Sequence, residues 1–293
     1  MKRQMFRIAA VVFALVITAG ITSCETFSGA KEEAPVKKNI VKKELFASDK
    51  VLQALKKEWN GKIKCETIDG ELCAVVDNKS TITSRKFTPV EAGKKYVLSG
   101  SFKSLGKAPS KVYYGFICYD KKKRQISSLH SNVVNGTATT LAEACKKGDK
   151  VLVIKANKKW RKGNYAIAFN AKDDFSDLPN REILYKISKI TPKGVNMEVQ
   201  FSVPLNKVYP AGTKVRVHSA SYGTYLYTTI VGEAMPKTWK TYSKSATLAK
   251  PGQMGRQYFR PGTAFVRILI LPNYGKKKDE KIAFKDLTLK VAE

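Results

Sequence analysis

The sequence predicts an all-β sandwich. From about residue 63 onward, short apolar runs alternate with clusters of Gly, Pro, Asn, Asp and Lys roughly every 8–12 residues, the spacing of strands and turns. Several runs alternate at period two: in KYVLSGSF, Tyr96, Leu98, Gly100 and Phe102 share one face. Tyr, Val, Ile and Phe dominate the runs, and long helical patterns are absent.

The runs read as strands in order are ELCAVVD, KYVLSGSF, VYYGFICYD, KVLVIKA, NYAIAFNA, MEVQFSV, KVRVHSA, GTYLYTTI, FVRILIL and IAFKDLTLKV. One short amphipathic helix precedes them in VLQALKKEW, where Val51, Leu52, Leu55 and Trp59 recur at helical spacing. Residues 25–45 are charged, contain Pro and carry Phe27 alone among aromatics, so they read as a flexible tether. No internal repeat and no low-complexity tract stands out.

The amino end has a different texture. Lys2, Arg3 and Arg7 precede a run from Ile8 to Ile21 that is apolar apart from Thr18 and Gly20. That is the layout of a secretory signal, and the run is short for crossing a bilayer, which takes roughly 20 apolar residues. ITSC, residues 21–24, closes the run and resembles the lipobox of bacterial lipoproteins. The resemblance implies that Cys24 is acylated and becomes the first residue of the mature chain, with residues 1–23 as the signal peptide. Palmitate-length chains on one Cys anchor firmly, because each buried CH₂ contributes about 0.8 kcal/mol. The protein is then exported and lipid-anchored in the cell envelope. Glu25 is not the Asp that some bacteria use for inner-membrane retention, which favours the outer membrane or cell surface.

The formal net charge is +30, and removal of residues 1–23 leaves about +27. Such a charge usually points to nucleic acid, but export places the chain away from it, so no nucleic-acid partner is expected. Two readings remain: attraction to anionic headgroups or acidic polysaccharide, or a solvated Lys-rich surface. The KKK runs at 121–123 and 276–278 fit either, as cationic tips or as turns that discourage edge pairing.

Three stretches in order resemble the jelly-roll, galactose-binding-like carbohydrate-binding modules appended to many glycoside hydrolases: TPVEAGKKYVLSGSFKS (88–104), PKTWKTYSKSATL (236–248), and AFVRILILPNYG with EKIAFKDLTLKV (264–291). In the last, Lys285–Asp286 stands where Asp–Asp is common. The resemblance implies one jelly-roll domain over 46–293 that binds glycan without cleaving it, with a β-rich insertion at about 145–235. GNYAIAFNAKDDFSDLPNR (163–181) and YPAGTKVRVHSASYGTYLY (209–227) within that insertion resemble uncharacterised bacterial and phage-associated surface β-domains. The alternative function is a structural or adhesive envelope protein that binds other proteins.

Aromatic faces stack on the C–H face of a sugar, which makes Tyr222, Tyr225, Tyr227, Trp160 and Trp239 ligand candidates, with His218 as a hydrogen-bonding partner and Tyr113 and Tyr119 as contributors. Each is equally at home in a strand or core. In DDFSDLPN, Asp173, Asp174, Ser176, Asp177 and Asn180 supply hard oxygen ligands that suit a structural Ca²⁺, or an Asx-turn loop. Jelly-roll modules often hold such an ion; no other cofactor is called for. Four cysteines remain after Cys24. A three-residue Ile68–Asp69–Gly70 loop sets Cys65 opposite Cys73 as a disulfide candidate, and Cys118–Cys145 follows by elimination; buried free thiols are the alternative. His130 and His218 are the only histidines, and no GxSxG, HExxH, CxxC, Walker or GxGxxG pattern occurs, so no enzyme is expected. Paired catalytic carboxylates leave no local signature, and a polysaccharide-active enzyme is the weakest reading.

Overall fold

A computed structural model describes residues 53–221, 223–250, 253–275 and 278–292. The stretch read as a signal peptide (1–23), Cys24, the stretch read as a tether (25–45), Val51, Leu52, Tyr222, Lys276 and Lys277 lie outside the described residues.

The chain is nearly all β, and every run read as a strand forms one. The first sheet has the order β1 (Trp59–Asn60), β4 (Ile82–Ser84), β17 (Phe265–Leu271), β7 (Lys111–Tyr119), β14 (Leu226–Ala234), with β5 (Thr88–Pro89) beside β17. The second has the order β16 (Tyr258–Phe259), β15 (Lys240–Leu248), β6 (Lys95–Ser104), β18 (Ile282–Val291), β3 (Glu71–Val76), β2 (Lys64–Ile68). All pairings in these two sheets are antiparallel except β15 with β16. The sheets face each other. Tyr96, Leu98, Gly100 and Phe102 of β6 all point inward as their alternation requires, and Phe102 meets Tyr114 of β7 edge-on at 5.1 Å.

Residues 53–58 are helical and Leu55 packs on the sandwich core, but Trp59 does not continue the helical stripe. It opens β1 opposite Ser84 and is buried in the core as a strand residue.

The third sheet has the order β8 (Thr139–Thr140), β13 (Lys214–Ser219), β10 (Gly163–Phe169), β11 (Ile183–Lys193), β12 (Asn196–Phe201), β9 (Val151–Lys155). Its two ends meet. Leu141, next to β8, bridges Ile154 of β9, Ala142 N–H donates to the Val153 carbonyl at 2.8 Å, and Thr139 Oγ1 donates to the Lys155 carbonyl at 3.0 Å. The sheet is thereby a small closed barrel without a free edge. Leu141, Ile154, Ile167, Phe169, Val199 and Val217 belong to its core, which is separate from that of the sandwich. β14, within the 145–235 stretch, pairs with β7 in the sandwich, so the chain leaves after β7 and returns on the neighbouring strand.

The junction between barrel and sandwich is polar. Arg181 donates from Nη2 to Asp120 Oδ2 at 3.1 Å and from Nη1 to the Gln125 carbonyl at 2.7 Å. Gly262 is tight against the ring of Pro179, whose peptide bond with Leu178 is cis; a Cβ there would sit 2.3 Å from Pro179 Cδ.

Candidate functional site

The outer face of the first sheet, away from the second, carries aromatics in place of the usual polar residues. Alternation sends Tyr114, Phe116 and Cys118 of β7 into the core and turns Tyr113, Ile117 and Tyr119 outward. Ile117, Leu269 and Leu271 are buried even so, with Phe87, Tyr113, Tyr225, Tyr227 and Phe265 packed half-buried against them. Gly115 makes the arrangement possible. A Cβ at this position would lie 2.1 Å from the Leu226 carbonyl oxygen, so only glycine lets β14 cross this closely and bring Tyr225 and Tyr227 beside Tyr113.

The rings form a continuous group. Tyr113 lies 4.6 Å from Tyr227 and 5.1 Å from Tyr274, and Tyr225 lies 6.3 Å from Tyr227. Lys79 Nζ sits 4.2 Å above Tyr274. At the far end, Phe87 meets Tyr119 at 4.8 Å beneath Lys123, whose Nζ is 5.0 Å from the Phe87 ring. Burial, and then the neighbouring phenols of Tyr274, Tyr113 and Tyr225, push the Tyr227 hydroxyl up to about 12, so it remains a neutral donor at physiological pH.

Beside the tyrosines a cleft of about 410 Å³ opens between β14 and the β15–β17 connection. Tyr113, Tyr225 and Tyr227 form its sheet side; Arg256, Tyr258 and Arg260 come from the connection. Arg260 is only 5 % exposed and has no ion pair among the described residues. Its Nη2 donates to the carbonyls of Gly223 at 3.1 Å and Tyr225 at 3.3 Å, while its buried Nε has no partner. Burial lowers its pKa.

The other sequence candidates are dispersed. Tyr225 and Tyr227 fall on this face; Tyr222 lies outside the described residues. Trp160 is buried in the barrel, donating from Nε1 to the Thr137 carbonyl at 2.8 Å, and Tyr119 is buried under Phe87. His218, at 0 % exposure, donates from Nδ1 to the Leu129 carbonyl at 2.7 Å and accepts at Nε2 from Arg216 Nε at 3.0 Å. Burial, and then Arg216, lower its pKa to about 4. Neither Trp160 nor His218 is placed to meet a ligand. Trp239 is half-buried on the outer face of the second sheet, its Nε1 donating to Asp69 at 2.9 Å and its ring under Lys285. Arg260, Arg256, Tyr258 and Tyr274 were not candidates in the sequence. QYFRPG carries no motif or periodicity that marks it as a site.

His130 Nδ1 accepts from Ser127 N–H at 3.0 Å and lies 3.1 Å from Ser127 Oγ, fixing the helical turn Ser128–Ser131. Its ring nitrogens also face Arg181 Nη1, at 3.3 Å and 3.5 Å, rather than a carboxylate. Burial, then Arg181, Arg260 and Arg124, lower its pKa to about 4.

The oxygen-rich loop finds cations within the chain. Asp177 accepts from Arg216 Nη2 at 2.6 Å, from Asn180 Nδ2 at 2.8 Å and from Lys172 N–H at 3.1 Å. Asp173 pairs with Lys214 at 2.5 Å, and Asp174 accepts from Ser176 N–H. Asn180 Nδ2 also donates to the Phe169 carbonyl. Among the described residues no group of three or more His, Cys, Asp or Glu side chains gathers as a metal site. The loop is an Asx-turn structure clamped by Arg216 and Lys214.

The cysteine pairing needs correction: Cys65, Cys73, Cys118 and Cys145 are free. The hairpin turn has two residues, Asp69 at φ 52° and Gly70 at φ 83°, which pairs Ile68 with Glu71. Cys65 therefore opposes Ala74, and Cys73 opposes Glu66. This one-residue difference in register puts the two thiols on opposite faces. Cys118 lies in the sandwich core and Cys145 in the barrel core. Burial pushes the Cys65 and Cys73 thiols up to about 11. Titration with a thiol reagent is therefore expected to be slow on the native protein and to reach all four once it is denatured without reductant; mass loss from paired cysteines would contradict this.

No family model, curated protein or solved structure matches the chain.

Proposed function

We propose that this is an exported, lipid-anchored cell-envelope protein that binds glycan without cleaving it, through the outer face of its first sheet. The reading of residues 1–45 supplies the anchor and the tether, and the resemblance of three strand segments to jelly-roll carbohydrate-binding modules supplies the ligand class. One observation carries the reading: Tyr113, Tyr225 and Tyr227 stand half-buried side by side next to a cleft of about 410 Å³. Core aromatics are covered on both faces, whereas these rings keep a solvent side on which a sugar C–H face can stack. Surface Lys adds attraction to acidic polysaccharide, and lipid anchoring of many copies makes weak single contacts add up.

A glycan array probed with the full-length protein in detergent tests this. Retention on a subset of glycans is expected, with affinity falling about tenfold in Tyr227→Ala, the loss of one stacking contact of about 1.4 kcal/mol. An array with no retained glycan would sink the reading and leave protein binding ahead. Equal affinity of the variant would move the site off this face.

A further inference from the structure

Given the glycan reading, on which this inference rests, the chemistry of the cleft narrows the ligand class. A guanidinium this deeply buried ordinarily has a carboxylate partner, because an uncompensated charge away from water is costly. Arg260 has none among the described residues. Only its Nη2 is bonded, to two backbone carbonyls; Nε has no partner, and Nη1 makes no hydrogen bond among the described residues. Arg256, exposed at the mouth, adds a second positive charge, and among the described residues no Asp or Glu lines the cleft. The phenols of Tyr225, Tyr227 and Tyr258 line the same space.

We propose that the cleft selects an anionic sugar residue, a uronate or a sulfate ester, whose acidic group pairs with Arg260 while its ring lies on the tyrosines. Nη2 is taken up by the two carbonyls and Nε is buried, so the Nη1 N–H donors are what a carboxylate or sulfate oxygen meets, in a charge-assisted hydrogen bond. A neutral sugar would leave the buried charge as it stands, so the acidic group is what discriminates. This is distinct from the diffuse attraction of a highly basic surface. Salt screens that attraction within a few ångströms at high ionic strength, whereas a partly enclosed pair is screened much less.

The test uses full-length protein in detergent and calorimetry at about 0.5 M NaCl, where surface attraction is suppressed. Three probes are compared: trigalacturonic acid, its neutral methyl ester, and a heparin-derived tetrasaccharide. The acid, the tetrasaccharide or both are expected to bind at least about tenfold more tightly than the ester. Which of the two binds better tells a carboxylate from a sulfate. Arg260→Gln should remove that preference, weakening the acidic probe at least about tenfold, and Lys290→Gln, at an exposed strand position outside the cleft, should change nothing. If Arg260→Gln does not fold, the wild-type preference at high salt and its weakening in the exposed Arg256→Gln decide the matter. Equal binding of acid and ester overturns the anion selection and leaves glycan binding intact. Failure of all three probes, with an empty glycan array, overturns both.

Discussion

Replacing Asp177 with Ala is expected to destabilise the barrel by about 3–5 kcal/mol, the cost of leaving a buried charge without its partner. Arg216 and Asp177 have side chains 3 % and 9 % exposed, and their contact is 2.6 Å. The same carboxylate also accepts from Asn180 and the Lys172 N–H, so its loss strands three donors together. Equilibrium denaturation followed by tryptophan fluorescence, with Trp59 and Trp239 replaced by Phe so that Trp160 in the barrel core is the probe, measures the loss. Replacing the whole pair with apolar residues, Asp177→Leu with Arg216→Met, should recover much of it, since the penalty lies in the orphaned charge. A cost under about 1 kcal/mol for Asp177→Ala would mean that the clamp is solvated and the loop held otherwise.

Mild acid should also weaken the fold, between about pH 6.5 and pH 4. His218 titrates at 6.5 in an unfolded chain and at about 4 when folded. Its contribution is fully present above pH 6.5. Below that, the unfolded chain binds a proton the folded one refuses, so stability falls until pH reaches about 4 and then levels off. The difference corresponds to about 3 kcal/mol at His218. His130 shifts in the same direction over the same window, with a smaller effect because it is less buried. The cause is burial first and Arg216 after it: a protonated His218 would carry a charge away from water and present Nε2–H to the Arg216 guanidinium, which already donates to that nitrogen at 3.0 Å. Denaturant midpoints at pH 7 and pH 4.5 read the drop, and His218→Asn should remove most of it, leaving the smaller His130 part. A midpoint that is level across this range would refute the assignment. Because Asp177, Arg216 and His218 form one connected chain, the acid effect and the Asp177→Ala effect should not add.

The sandwich strands are legible because each has one inward face of alternating apolar residues, as in Tyr96, Leu98 and Phe102. β11 is not legible for a specific reason. Its pairing with β10 shifts between Tyr185 and Ile187 and its pairing with β12 between Ile187 and Lys189, so the apolar positions Leu184, Ile187 and Ile190 fall three apart, the spacing of a helix rather than a strand. The hairpin of Cys65 and Cys73 turns through two residues where its sequence suggests three. Asp69–Gly70 is the two-residue turn signature, and at period two a single residue reverses the face. Tyr225 and Tyr227 stand out in sequence because they alternate on one strand. Arg260 does not, because its significance lies in what is missing around it: no carboxylate partner among the described residues, a property of the packed neighbourhood with no trace in QYFRPG. His218 looked like a ligand group for the converse reason, since a polar aromatic in a strand gives no sign of the arginine and carbonyl that satisfy it.

The barrel's meeting ends have a topological corollary. The polypeptide departs from β7 and comes back on β14, strands already hydrogen-bonded to each other, and every barrel pairing is made within the excursion itself. The sandwich ladder therefore does not depend on the length of that excursion, whose closure cost rises only with the logarithm of its residue count. The connection between two adjacent strands is thus a self-sealed cassette, whose own ladder and core are complete without the scaffold beneath it.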